Sequence, residues 1–214
     1  MFVQSFLQNL LNALQWGSFY ALIALGYSLV YGVLLLINFA HGDIFMVGAY
    51  IGFFLATLLL GQSFSLFPFQ LSPTTVFVIT LLLTMVLTSG VGVTLERVAY
   101  RPLRRKGASR LYVVITALMC GLILENGNLA LFGANRRMFP ELIPKAIYTI
   151  WGVTFTNVKI LVIVATILVF LLLEAIVRKT RMGMAMRAIS YDRMAVPLMG
   201  IPLAAGTHVV RLRY

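Results

Sequence analysis

The polar side chains with the clearest chemical potential lie in one hexapeptide, residues 38–43, with the sequence Asn-Phe-Ala-His-Gly-Asp. It interrupts a long apolar stretch, so it is either a tight turn between two helices or a break inside a membrane. A break would open Asn38 and His41 to a polar pathway, and the N-terminus of the following half-helix could bind a substrate carboxylate. Gly42 permits the sharp change of backbone direction that either arrangement needs.

Asp43 has a plainer interpretation, which we favour. A helix that starts at Ile44 needs an N-cap, and a carboxylate at that position also stabilises the positive end of the helix. His41 and Asp43 could instead form a metal pair or a proton relay, but two candidate ligands are too few for a metal site. We therefore expect no metal and no other cofactor.

Glu125 and Asn126 are the second polar feature, since both lie inside an apolar segment. Ionisable residues at membrane depth usually face the bundle interior or a water-filled cavity. An equally good interpretation places the pair near the outer interface, because the segment ends soon afterwards. The candidate translocation pathway consists of Asn38, His41, Gly42, Asp43 and Glu125.

The composition defines the class of protein that must position these groups. The chain has 214 residues, of which 61% are hydrophobic and 11% charged, whereas soluble domains carry about 25% charged residues. Apolar runs are continuous rather than alternating, which disfavours a transmembrane barrel. We predict an all-α polytopic membrane bundle with spans within 14–37, 44–60, 75–95, 111–132 and 160–177.

Charge predicts the orientation of the spans. Residues 97–110 hold six Arg or Lys and no acidic residue, and residues 178–193 hold five against one. Cytoplasmic loops collect such residues, so both loops are predicted inside and the N-terminus outside. If the hexapeptide is a re-entrant break, the span count falls by one and the N-terminus moves inside. The net charge of +11 is then explained mostly by the basic loops that orient the spans in the membrane. We therefore expect no nucleic-acid partner.

Small residues indicate how two helices approach each other. Gly48, Gly52 and Ala56 recur at every fourth position and so share one helix face, which allows a neighbouring helix to pack closely. The single Cys120 is most simply a packing residue. No G-x-x-x-x-G-K-[ST] phosphate loop is present, so ATP use would require another chain.

Four separated motifs carry a resemblance to a known family. They are SFYALIALGYSLVYG at 18–32, INFAHGD at 37–43, ERVAYRPL at 96–103 and RMGMAMRA at 181–188. Together with the LMGI sequence at 198–201, they resemble the permease subunits of branched-chain amino-acid ABC importers. The likeness extends over residues 1–201, which we take as a membrane permease domain, and leaves 202–214 as a divergent basic tail.

The resemblance implies an inner-membrane permease and a set of partners. Such permeases pair with a second permease and with two cytoplasmic ATP-binding subunits, and a periplasmic or lipid-anchored binding protein delivers the substrate. The second basic loop is similar to the loop that couples the permease to the ATPase. Carried onto this chain, the coupling residues are Arg187, Ala188, Asp192, Ala195 and Gly200.

Two features depart from the family pattern. Tyr191 stands where an acidic residue is usual, and Pro197 would end or kink a helical stretch. Family members continue into further spans, so we expect this sequence to be the N-terminal portion of a longer fold, truncated at its C-terminus. The basic segment 181–200 could alternatively be a helix lying at the lipid interface.

Three functions compete at this stage. The first is the amino-acid permease, whole or as a non-functional truncated form. The second is a secondary transporter or channel for a small polar solute, with every site built from this chain. The third is a membrane enzyme, which we disfavour because no nucleophile with a base stands at a recognisable spacing.

Overall fold

The computed structural model describes residues 2–34, 37–61 and 72–191 of the chain. Within these ranges, five helices are long and apolar enough to cross a membrane. The predicted class, a polytopic helical membrane protein, is confirmed. The elements in chain order are α1 Phe2–Leu34, α2 His41–Leu60, α3 Pro73–Leu95, α4 Arg101–Arg105, α5 Arg110–Phe132, β1 Ile147–Ile150, β2 Val153–Thr156, α6 Asn157–Lys179 and α7 Arg181–Tyr191.

The chain divides into two compact units. The first contains α1, the two strands, α6 and α7, and the second contains α2, α3 and α5. The predicted boundary between a domain at 1–201 and a tail stays a prediction, because residues 192–214 lie outside the described part of the chain.

Two helices extend further than the apolar pattern indicated. α1 begins at Phe2 rather than near Leu14, because the preceding residues form a continuous helix with no proline or glycine to stop it. α3 continues through a π-helical turn, Glu96–Tyr100, into α4. The first basic segment is therefore helical as far as Arg105 and is not a simple loop.

In the first unit, strands β1 and β2 form an antiparallel hairpin that the sequence patterns did not predict. Its two-residue turn has φ of +54° at Trp151 and +75° at Gly152, the left-handed pair that a type I′ turn requires. Gln8 of α1 accepts a hydrogen bond from the Thr154 N–H at 2.8 Å and donates one to the Thr154 carbonyl at 2.9 Å.

Polar residues at every fourth position of α1 complete this attachment. Gln4 donates to the Trp151 carbonyl, and Asn12 accepts a 2.7 Å hydrogen bond from Lys159 at the start of α6. Residues four apart share a helix face, so one face of α1 holds both the hairpin and the beginning of α6.

In the second unit, the small-residue face of α2 packs against threonines of α3. Gly48, Gly52 and Ala56 are all buried. A Cβ atom at position 48 would lie 2.9 Å from Thr88 Oγ1, and one at position 52 would lie 3.3 Å from Thr84 Oγ1. The absence of side chains at these positions is what allows the two helices to approach.

One end of this helix pair is closed by a small apolar cluster. Ala56 and Val76 are almost fully buried against Leu142, which comes from the segment after α5. Leu59, Phe77 and Ile143 pack around them. The cluster ties the irregular segment 133–146 to the helices of the second unit.

We predict that Gly48→Ala destabilises the protein by about 1–3 kcal/mol, because the new methyl group overpacks the contact with Thr88. Thr88→Ala in the same molecule should restore most of the stability by making room. Thermal unfolding in detergent measures both effects. Gly90→Ala is the control, since a Cβ there meets no atom within 4 Å, and equal losses for Gly48→Ala and Gly90→Ala would contradict the prediction.

Candidate functional site

The hexapeptide contains the start of α2, and residues 37–40 before it are not helical. α1 ends at Leu34, α2 begins at His41, and its first hydrogen bond runs from the Ile44 N–H to the Ala40 carbonyl at 2.9 Å. Ala40 is therefore the N-cap. The prediction that Asp43 is the N-cap of a helix starting at Ile44 is wrong, because His41 and Gly42 already belong to the helix.

Asp43 instead lies inside the first turn of α2, where a carboxylate still stabilises the positive end of the helix. It packs against Gly121 of α5. A Cβ atom at position 121 would overlap the carboxylate, with Asp43 Cγ at 3.3 Å and Ala40 Cα at 3.7 Å. Gly121 thus makes room for the half-buried Asp43 carboxylate, which belongs to a helix long enough to cross a membrane. The sequence patterns did not identify the role of Gly121.

The structure separates the remaining pathway candidates by their burial. Asn38, His41 and Gly42 are half-buried, and Ala40 between them is fully buried. Glu125 lies one helical turn beyond Gly121 on α5 and is exposed on the surface of this chain. Within the described residues no cluster of three or more His, Cys, Asp or Glu side chains could hold a metal ion.

The neighbouring asparagines of α5 have opposite environments. Asn126 is exposed, and its amide donates a 2.8 Å hydrogen bond to the Leu122 carbonyl of its own helix. Asn128 is buried and lines a cavity of about 390 Å³ between α2 and α5. We call this the Asn128 cavity. The apolar pattern of the sequence pointed to Asn126 and not to Asn128, because only the helical phase relative to α2 distinguishes the two residues.

Helix α7 turns back from the end of α6 through a joint of close contacts. Only Thr180 separates the two helices, and its hydroxyl accepts a hydrogen bond from the Gly183 N–H at 3.1 Å. The Arg187 guanidinium donates from Nη1 to the Val177 carbonyl. That carbonyl belongs to the last turn of α6, where the helix carries partial negative charge.

Gly183 is required at this joint because a side chain does not fit. A Cβ atom there would overlap the backbone carbonyl oxygens of Ile176 and Val177. Beside the joint, Arg178 and Glu174 form the i, i+4 ion pair that their spacing predicts, with Nε and Oε1 3.1 Å apart.

The structure gives part of the predicted coupling segment. Arg187 and Ala188 lie on α7, with Ala188 half-buried. Asp192, Ala195 and Gly200 lie outside the described residues, as does Pro197. Their assignment to an ATPase contact remains a prediction.

Comparison with known proteins places these elements in a family context. Residues 9–207 match the family model described as branched-chain amino acid transport system / permease component. The chain is 36% identical over 203 residues to the high-affinity branched-chain amino acid transport system permease protein BraD of Pseudomonas aeruginosa, covering 93% of this chain and 64% of that protein.

Similar values hold for enteric relatives. The permease protein LivH of the corresponding system is 33% identical over 204 residues in Escherichia coli and 32% in Salmonella typhimurium. These alignments cover 92% of this chain and 62% of each relative. The chain thus spans somewhat less than two thirds of the curated relatives it matches. No solved structure matches the chain.

We predict that Gly183→Ala displaces α7 from the end of α6 by about 1 Å or more, since the added methyl group must reach ordinary contact distance from two carbonyl oxygens. Spin labels at Leu172 and Met184, which are 62% and 59% exposed, report the separation in a Cys120→Ser background. The distance distribution should lengthen or broaden. Gly127→Ala is the control, as a Cβ at that position meets nothing, and an unchanged distribution in Gly183→Ala would contradict the prediction.

Proposed function

The chain belongs to the branched-chain amino acid transport permease family, and from this premise we propose that it is the transmembrane permease subunit of an ATP-driven importer of branched-chain or related hydrophobic amino acids. The observation that carries the proposal is the family match over residues 9–207, which includes every described membrane helix apart from the first turns of α1. The protein is a multi-pass membrane protein, and we place it in the bacterial inner membrane.

We infer that ATP hydrolysis takes place on separate chains. The sequence contains no phosphate-binding loop, and the relatives are named as permease proteins. The proposed assembly contains a second permease subunit, two cytoplasmic ATP-binding subunits and an external substrate-binding protein. This chain would contribute alternating access, in which the helix bundle opens to one side of the membrane and then to the other.

Helix α7 is the proposed contact with the ATP-binding subunits. Met184 and Tyr191 are 59% and 96% exposed and, being seven residues apart, share a helix face. A helix with exposed apolar residues suits a groove on a soluble partner. The Arg187 hydrogen bond to α6 holds α7 in position against the end of α6. Arg187 would therefore act in coupling by positioning α7.

The exposed polar pair on α5 supports a second permease subunit. Glu125 and Asn126 are exposed on the chain, although Glu125 lies about 10 Å inside the C-terminal end of a helix long enough to cross a membrane. A carboxylate facing lipid at that depth is costly. A partner subunit or a water-filled pathway along this face of α5 would remove the cost, which keeps Glu125 in the candidate pathway with Asn38, His41, Gly42 and Asp43.

Uptake by the reconstituted importer tests the proposal. Vesicles that contain the permeases and the ATP-binding subunits, supplied with the binding protein, should accumulate radiolabelled leucine when loaded with ATP and not when loaded with ADP. Equal uptake with ADP would instead support a secondary transporter, whose sites must all lie within the membrane subunits. Absence of uptake of leucine, isoleucine and valine would overturn the proposed substrate class.

We predict that Met184→Asp weakens binding of the ATP-binding subunits, because the charge disrupts an apolar contact face on α7. Co-purification from detergent measures the binding, with an expected loss of about tenfold, equivalent to about 1.4 kcal/mol. Met138→Asp is the matched control. Met138 is 93% exposed and lies between α5 and α6, one predicted span away from each of the two basic segments that are predicted inside, so the same orientation predicts it outside. Equal retention by both variants would remove α7 as the contact.

A further inference from the structure

The amide of Asn128 lies in the wall of a cavity and takes no part in the recorded hydrogen bonds of the described residues. The residue is 8% exposed and lines the Asn128 cavity. Among the residues that the structure describes, none forms a hydrogen bond with this amide. An amide offers two N–H donors and a carbonyl acceptor, and a polar group in a largely apolar wall is stabilised by a hydrogen-bonding partner. A polar ligand in the cavity would account for its presence.

The rest of the cavity lining is largely apolar and includes an aromatic cluster. Val47 and Ile51 of α2 contribute aliphatic walls. The Tyr50 ring stacks on Phe132 of α5 with centroids 5.3 Å apart, and Phe54 lies 4.8 Å from Phe132. A volume of about 390 Å³ falls at the lower end of the usual range for small-molecule sites.

We propose that the Asn128 cavity binds a branched-chain amino acid on its way through the membrane. The aliphatic side chain of the amino acid would lie against Val47 and Ile51. The Asn128 amide would meet the polar end of the same molecule, donating to its carboxylate or accepting from its ammonium group. This inference rests on the proposed function, which supplies the substrate class.

A lipid acyl chain is the competing occupant. The cavity lining includes Leu58 and Leu87, which are 58% and 48% exposed, so the cavity opens toward the surface of the chain. An acyl chain would fill the apolar space, but it has no group to pair with the Asn128 amide. A small amino acid satisfies both the apolar walls and Asn128, which is why we favour it.

The first test compares Asn128→Leu with Asn126→Leu in the reconstituted importer. Asn128→Leu should raise the KM for leucine uptake about tenfold or more, because the hydrogen bond to the substrate is lost. The same variant should unfold at an equal or higher temperature, since it replaces an amide that makes no hydrogen bond within the described residues by an apolar group in an apolar wall. Asn126→Leu, which loses only a hydrogen bond to its own helix, should leave the KM unchanged.

These outcomes separate a ligand role from a structural one. A structural Asn128 would show itself as a lower unfolding temperature with an unchanged KM in the folded fraction, and that result would overturn the proposal. Unchanged KM and stability would overturn it as well, and would leave an acyl chain as the occupant.

The second test measures occupancy directly. Val47→Cys in a Cys120→Ser background places the one thiol in the cavity wall, since Cys120 is the single cysteine of the chain. Saturating leucine should slow its reaction with a small neutral thiol reagent at least threefold, whereas lysine, with a charged side chain, should not. Equal rates with and without leucine would overturn the proposal.

The proposed function and the cavity can fail separately. If the unmodified importer accumulates no branched-chain amino acid, the proposed function fails. If the unmodified importer transports leucine and both Asn128→Leu and the Val47→Cys labelling show no effect, the proposed function stands and the Asn128 cavity is excluded as its site.

Discussion

Hydrocarbon cannot hydrogen-bond a peptide group, and this constraint governs the whole chain. It explains why the described residues form five long helices and why hydroxyl groups inside them bond to their own backbone. Ser18 donates to the Leu14 carbonyl and Thr166 to the Val162 carbonyl, both at 2.8 Å. It also implies that the hairpin, with its two open edges, lies outside the hydrocarbon layer, where water or headgroups can meet the free peptide groups.

Three threonines of α3 do not follow this pattern of hydroxyl groups bonded to their own helix backbone. Thr80, Thr84 and Thr88 have buried hydroxyl groups that make no hydrogen bond within the described part of the chain. Two of them lie directly against Gly48 and Gly52. Contact between a hydroxyl oxygen and a glycine Cα–H group gives weak stabilisation, and the four-residue spacing on both helices repeats the contact along the interface. Close packing here therefore accompanies polar groups that are only partly satisfied.

The sequence was sufficient where a long pattern determined the outcome and insufficient where one contact did. Apolar runs located the five long apolar helices of the described residues, and the spacing of Gly48, Gly52 and Ala56 identified a face that is buried. Asp43 was misassigned because the N-cap depends on local backbone geometry, and Ala40 has no side chain that could signal it. The hairpin was missed because Gln4 and Gln8, far away in the chain, hold it. Gly121, Asn128 and Gly183 matter through contacts with other segments, which no local pattern reveals.

The joint between α6 and α7 makes these two helices unequal arms of one lever. With a single residue between them and Arg187 bonded across the corner, there is little slack to absorb a push on α7. Its 11 residues span about 16 Å and the 23 residues of α6 about 34 Å. If both arms turn together by about 10°, a movement of about 3 Å at the tip of α7 becomes about 6 Å at the far end of α6. Because Lys159 at that end is hydrogen-bonded to Asn12, the beginning of α1 would move with it. The corner would thus amplify displacement across the membrane, at the cost of proportionally smaller force.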